Sequence, residues 1–179
     1  MRNDPFAGLP PAATFTVTST TVADGERLPL PQHSGAFGVP GGEDRSPHLA
    51  WEGAPDGTLS YAVTVYDPDA PTGSGFWHWA VAGLPGTVPE LPEGAGDPSG
   101  ASLPDGAVQL PNDAGNPGFT GAAPPAGHGE HRYFVVVHAL DVADLAVPAT
   151  ATPAFLGFSM LPHVIGRAVL VATAETPAH

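Results

Sequence analysis

Glycine and proline, 23 of each in a chain of 179 residues, set the limits on what this sequence can fold into. Neither suits a helix interior or a central strand, and here both gather between the apolar runs. Ser60 to Tyr66 sets Tyr61, Val63 and Val65 against Ala62, Thr64 and Tyr66, and Trp77, Trp79 and Val81 alternate with His78, Ala80 and Ala82. This is the period-two pattern of strands rich in β-branched and aromatic residues. A third run, Phe134 to Leu140, continues the same habit. Because the runs are clean, the Gly/Pro clusters are loops and not disorder, even though their combined weight nears the level that suggests it. Strands outnumber helices and tight turns separate most of them, which predicts a mainly antiparallel β-domain.

The length suits one domain, predicted over residues 14–176 after a flexible, proline-bearing arm at 1–13. The first strand is expected from about Thr14 to Val22, with Phe15 and Val17 on one face, followed by a turn at Asp24-Gly25. Leu28 to Pro47 is a long irregular stretch, of a length usually reserved for functional loops or lids. His48 to Trp51 forms a short strand. Gly83 to Gly106 is a loop whose acids, among them Glu90, Glu93, Asp97 and Asp105, serve solvation. Thr152 and Pro153 open a helix as N-cap and first-turn proline, with Phe155, Phe158 and Leu161 at helical spacing. Pro162 interrupts it, a continuation after a kink is expected over Val164 to Arg167, and Ala168 to Ala174 closes as a strand.

Composition removes several functions. Without cysteine there is no disulfide framework, thiol nucleophile or Cys-type zinc site. All five cations are arginines (Arg2, Arg27, Arg45, Arg132 and Arg167) and the net charge is −13. Lacking lysine, the chain excludes a P-loop and a Schiff-base enzyme, and it offers no basic patch for nucleic acid. The overall field repels polyanions and anionic bilayers, so an anion site has to be local. No run approaches the ~18 apolar residues of a membrane helix, and Met1 to Pro11 lacks the pattern of a secretory signal. A soluble, cytoplasmic protein without cofactor is expected.

Two segments concentrate chemistry. Asp67-Pro68-Asp69-Ala70-Pro71 ends the Ser60 strand on a stiff turn, and Thr72 to Gly75 reverses the chain into Phe76-Trp77-His78-Trp79. Strict alternation would point His78 away from both tryptophans. The second segment, Gly118 to Gly129, is a glycine- and proline-rich loop containing Pro124-Pro125 and His128. It leads into His131-Arg132-Tyr133, where His131 and Tyr133 share a face and Arg132 takes the other.

These motifs, with Ser46-Pro47-His48-Leu49-Ala50-Trp51, Leu103-Pro104-Asp105-Gly106 and Asn112-Asp113, resemble the phosphatidylethanolamine-binding protein family, in particular its bacterial branch of Raf kinase inhibitor-like proteins. The likeness runs from about Thr14 to about Ala174. It implies a large central antiparallel sheet packed on a smaller one, with one or two helices at the edges. It also implies a preformed pocket for a small anion, phosphate or a phospholipid head group, with Asp67, His78, Pro125, His131 and Tyr133 as pocket positions. Asp69 and Arg132 would brace the loops by an ion pair.

In this reading a protonated His78 or His131, the Tyr133 hydroxyl and the loop N–H groups of Gly121 to Pro125 hold the anion by charge-assisted hydrogen bonds. Binding should strengthen as pH falls through about 6.5, the ordinary histidine value. Three other readings compete. His128 and His131, three apart around Glu130, could hold a metal with Asp67, although the spacing lacks a helix or zincin signature and no metal is expected. The Asp67/His78/His131 pocket with its tyrosine could serve acid–base catalysis. Some relatives are thought to inhibit kinases or proteases by protein contact; here no target or docking patch is readable. Bacterial relatives often pair, which allows a homodimer.

Overall fold

The computed structural model describes residues 3–178. In chain order its elements are β1 (Ala13–Thr14), β2 (Thr16–Thr18), β3 (Leu49–Glu52), β4 (Ser60–Asp67), β5 (Phe76–Pro85), β6 (Glu90–Leu91), β7 (Val108–Gln109), β8 (His131–Leu140), α1 (Pro153–Met160) and β9 (Val164–Ala174), with a 3-10 turn at Leu30–Gln32. Six strands form the larger sheet in the order β1-β9-β8-β4-β5-β7, and β2-β3-β6 form the smaller one.

The alternating runs become the centre of the larger sheet. β4 lies between β5 and β8, antiparallel to both, and is buried along nearly its whole length. Its Tyr61, Val63 and Val65 face the smaller sheet and join Trp79, Val135, Leu170 and Trp51 in the main core. Trp51 meets the Tyr61 ring edge-on at 5.3 Å, a geometry that adds to simple area burial. The opposite face carries Ala62, Ala80 and Ala82, whose small side chains share a second core with Leu156 and Met160 of α1. Each fully buried leucine of this kind contributes about 1.5–3 kcal/mol.

Three expectations need correction. The single first strand is two. The chain changes sheets at Phe15, so that β1 pairs with β9 while β2 pairs with β3. The β1–β9 pairing is parallel, which makes the larger sheet mixed at that edge. The helix does not resume after Pro162: Val164 to Arg167 is the beginning of β9, paired with β8 from Leu140↔Val164 onward. A short apolar run reads equally as helix or strand, and the unpaired edge of β8 decides it. The helix itself begins as expected, the Thr152 side chain accepting the Phe155 N–H. Its buried residues are Pro153, Leu156 and Met160, while Phe155, Phe158 and Leu161 lie exposed. Among the described residues no helix is long and apolar enough to cross a membrane.

Candidate ligand-binding site

At one end of the larger sheet a bulge decides where His78 goes. The register runs Asp67↔Phe76 and Tyr66↔Trp77, then jumps to Val65↔Trp79, leaving His78 as the extra residue of β5. An extra residue resets the alternation. Trp77 therefore stacks on Tyr66, ring centroids 4.3 Å apart, whereas Trp79 enters the main core beside Tyr133. His78 meets the ring of Tyr133 at 5.0 Å. The expectation that His78 points away from both tryptophans is thus wrong: Trp77 and Trp79 part company, and His78 sits on the core side with Trp79.

Thr120 takes over as the partner that β4 does not supply. Its N–H donates to the His78 carbonyl at 2.9 Å, and its own carbonyl accepts from His78 Nδ1 at 2.7 Å. With Nδ1 carrying that proton, neutral His78 turns the lone pair of Nε2 toward the cavity. Burial pushes the His78 pKa below the usual histidine value, against the Thr120 carbonyl and Asp67, which pull it back up.

Asp67 closes β4, and its carboxylate is fully employed. Oδ1 accepts the N–H groups of Asp69 and Ala70, at 2.8 and 3.0 Å, the local turn that Asp favours. Oδ2 lies 2.7 Å from His131 Nδ1, both side chains almost entirely buried. On its far side, His131 Nε2 is 2.7 Å from His128 Nδ1. A chain Asp67···His131···His128 follows, with Nδ1–H of His131 donating to the carboxylate and Nε2 accepting from His128. The two histidine nitrogens face each other across one proton. This is a hydrogen-bond geometry and not a pair of ligands aimed at a common ion.

Arg132, on the opposite face of β8, makes a two-pronged ion pair with Asp69, Nε to Oδ2 at 2.7 Å and Nη2 to Oδ1 at 2.8 Å. The Arg132 backbone N–H also donates to Asp69 Oδ2. Asp69 accordingly raises the Arg132 pKa above its usual value, although burial works the other way.

A cavity of about 220 Å³ opens over these groups, lined by Asp67, His78, His131 and Tyr133 on its polar side and by Phe37, Phe76 and Pro71 among its apolar walls. Pro124 and Pro125 complete the rim. Burial, with Asp67 and Asp69 adding, drives the Tyr133 phenol far above its ordinary pKa, so it remains an O–H donor. The loop donors behave otherwise than expected. Gly121 N–H is spent on Asp44 Oδ1 and Ala122 N–H on the Gln32 carbonyl, and the two prolines have none. Of the N–H groups over 121–125 only that of Ala123, at the cavity wall, is not spent in this way. Nor does His131 have a free nitrogen, which leaves His78 Nε2 and the Tyr133 hydroxyl as the side-chain groups on the cavity.

Sequence reasoning missed Asp44, Thr120 and Phe37. Asp44 ties the irregular 28–47 stretch to the second loop, accepting Gly121 N–H and, at 3.0 Å, Ala36 N–H. Burial raises its pKa, but the hydrogen bonds from Ser34, Ala36 and Gly121 outweigh it and hold the group below the usual carboxylate value. Its backbone is left-handed, φ 52°, and nothing in the local sequence announces the contact. Phe37 had only the long loop as a pointer, and Thr120 only its place ahead of Gly121.

A sheet-on-sheet fold with a His/Asp/Tyr cavity at one end is the architecture of a class of β-proteins that are typically ligand-binding. The pattern of the phosphatidylethanolamine-binding protein family matches residues 18–175, and the chain belongs to that family. It is 47% identical over 169 residues to the UPF0098 protein YbcL of Escherichia coli K12, covering 94% of this chain and 88% of that one. It is 46% identical to YbhB of the same organism, over 86% and 96% of the two chains. The crystal structure of E. coli YbcL superposes with a TM-score of 0.87 at 45% identity, covering 90% of this chain and 98% of the other. That of CT736 from Chlamydia trachomatis gives 0.76 at 30% identity over 92% and 99%.

Proposed function

We propose that this protein binds a small phosphorylated ligand by its phosphate head group, over His78 and Tyr133. The observation that carries this reading is one of available atoms. Asp67 and His131 are saturated by protein partners, while His78 Nε2 and the Tyr133 hydroxyl face a preformed cavity. One can accept a hydrogen bond and the other donates, the pair that a monoprotonated phosphate needs.

Among the described residues no arginine lines the cavity, and Asp67 lies beside it, so a phosphate dianion finds no compensating charge there. The complex therefore carries one extra proton, on the ligand, whose second pKa is about 6, or on His78. Affinity rises roughly tenfold per pH unit as pH falls toward about 6, then levels off. The pH dependence so belongs to the ligand–His78 pair, not to free His78, whose own pKa burial lowers.

Calorimetric titration with phosphate, phosphoethanolamine and sulfate, at about pH 5.5, 6.5 and 7.5 on either side of the phosphate value, tests this for wild type, His78→Ala and Tyr133→Phe. Saturable, proton-coupled binding of the two phosphates, weak binding of sulfate and loss in both variants are expected. Flat affinity across that range, or wild-type affinity in His78→Ala, would overturn it.

Acid–base catalysis remains the second reading, and the observation favouring it is the same free Nε2. Its mark is substrate turnover lost in His78→Ala with the fold intact.

A further inference from the structure

A second cavity lies on the other face of the main sheet. It measures about 440 Å³, within the ~300–1,000 Å³ range of small-ligand sites. Its floor is the outer face of β4, β5, β8 and β9; α1 forms one wall and the N-terminal segment from Asn3 to Leu9 another. Phe6 packs edge-on against Phe134 at 5.8 Å, and the Asn3 carbonyl accepts from Arg132 Nη2 at 2.8 Å. These contacts hold the segment across the sheet. Phe6, Trp77, Phe134 and Met160 make the lining mainly apolar.

Arg167 breaks that pattern. It is half-buried, its Nη1 donates to the Pro10 carbonyl at 2.9 Å, and its Nε is buried without a partner. Among the described residues Arg27, Arg45 and Arg132 each pair with a carboxylate, and Arg167 does not. A half-buried cation left uncompensated in a chain of net charge −13 is costly unless something supplies the charge. Its cross-strand neighbour is His138, buried and neutral, with Nε2 on the Thr64 hydroxyl at 3.0 Å and Nδ1 without a partner. Burial, then the Arg167 charge, drives the His138 pKa down to about 3, so His138 adds no second cation. Asp4 also borders the cavity, its Oδ1 accepting the Phe6 N–H at 2.9 Å within its own turn.

We infer that this cavity binds an amphipathic monocarboxylate, its carboxylate on Arg167 and its aliphatic body among Phe6, Trp77, Phe134 and Met160. The apolar walls take the body, and the single uncompensated guanidinium selects the head. The site is separate from the phosphate pocket, with Tyr66 and Trp77 on its side of the sheet and Asp67 and His78 on the other.

Trp77 lines this cavity whereas Trp51 and Trp79 are in the main core, so tryptophan fluorescence reports occupancy. Wild type titrated with decanoate, decanol and decylamine should bind decanoate saturably, at least about tenfold more tightly than either of the others, the weight of one charge-assisted hydrogen bond. Arg167→Gln should erase the preference for decanoate over decanol.

A second variant stands independently of Arg167's part in the fold. A Cβ on Gly157, in α1 at the cavity wall, meets nothing within 4 Å, so Gly157→Leu projects into the cavity. It should abolish decanoate binding while retaining the melting temperature and any phosphoethanolamine binding. Equal affinity for decanoate and decanol, tighter binding of decylamine, unchanged decanoate binding in either variant, or no saturable binding at all would each overturn the assignment.

Discussion

His128 Nδ1 stands 2.7 Å from His131 Nε2, and the other nitrogen of His131 stands 2.7 Å from the Asp67 carboxylate. Fixing one proton on this chain fixes the rest. A proton added at the exposed His128 ring and passed across its Nδ1···Nε2 bond leaves the positive charge on His131, beside Asp67, with the His131–Asp67 hydrogen bond unmoved. The chain thus links the exposed His128 ring to the buried Asp67 carboxylate by two consecutive hydrogen bonds.

Asp67→Asn tests the proton order along that chain. The amide can still accept from Asp69 and Ala70, but its NH2 now faces His131 Nδ1 and forces the proton to Nε2. The expected result is a reversed His131 tautomer, visible in imidazole ¹⁵N shifts, with a loss of about 1–3 kcal/mol in urea unfolding for the weakened buried bond. An unchanged tautomer would contradict the assignment.

Arg132→Lys should cost about 1–3 kcal/mol. A lysine cannot reproduce the two-pronged contact with Asp69, and the pair is more sheltered than a surface ion pair worth ~0.2–1 kcal/mol. Because Asp69 follows Asp67 in the same turn, ligand affinity should fall as well. A thermal melt paired with a phosphate titration measures both.

His138 should set part of the acid limb of stability. Its folded pKa, about 3, lies below the unfolded value of ~6.5. Between these the unfolded chain binds the proton and the folded one does not. Stability is therefore unaffected well above pH ~6.5 and falls as pH drops below it, by up to about 1.4 kcal/mol per pH unit. His78, lowered in the same direction, adds to the loss. Urea midpoints at several pH values for wild type and His138→Gln should show a shallower decline in the variant.

Gly121→Ala should disturb both loops at once. A Cβ there would run into the His33 carbonyl carbon, a backbone atom with no room to yield cheaply. The His33–Ala122 bridge would open, and Thr120, which orients His78, is the adjacent residue. The expected cost is about 1–3 kcal/mol, together with weaker phosphate binding. Wild-type stability in this variant would mean that the loops are not stapled as described.

Much of the site is legible in the sequence. The prolines around Asp67 and Asp69 announce a stiff rim turn, and period-two spacing puts His131 with Tyr133 and turns Arg132 away, as found. Other features are not legible there, for reasons that differ. The bulge at His78 leaves no mark in the composition of β5, because it depends on which residues of β4 it pairs with. His128 is visible as a possible metal ligand, but its partner is a ring nitrogen that only the loop's path brings to it. The loop amides look free because their acceptors, Asp44 and the Gln32 carbonyl, lie far back in the chain.

Local alternation and the fixed dihedrals of proline and glycine were enough to set most of the strands, the loops between them and most of the groups with chemistry. The partner that each strand took was settled in three dimensions, hence the parallel β1 edge and the strand character of Val164 to Arg167. So was the question of which polar atoms remain unspent. Hydrogen-bond satisfaction is a property of contacts between distant segments, and for that reason His78 Nε2, the Tyr133 hydroxyl and Arg167 emerge as candidate binding groups only once every other partner has been placed.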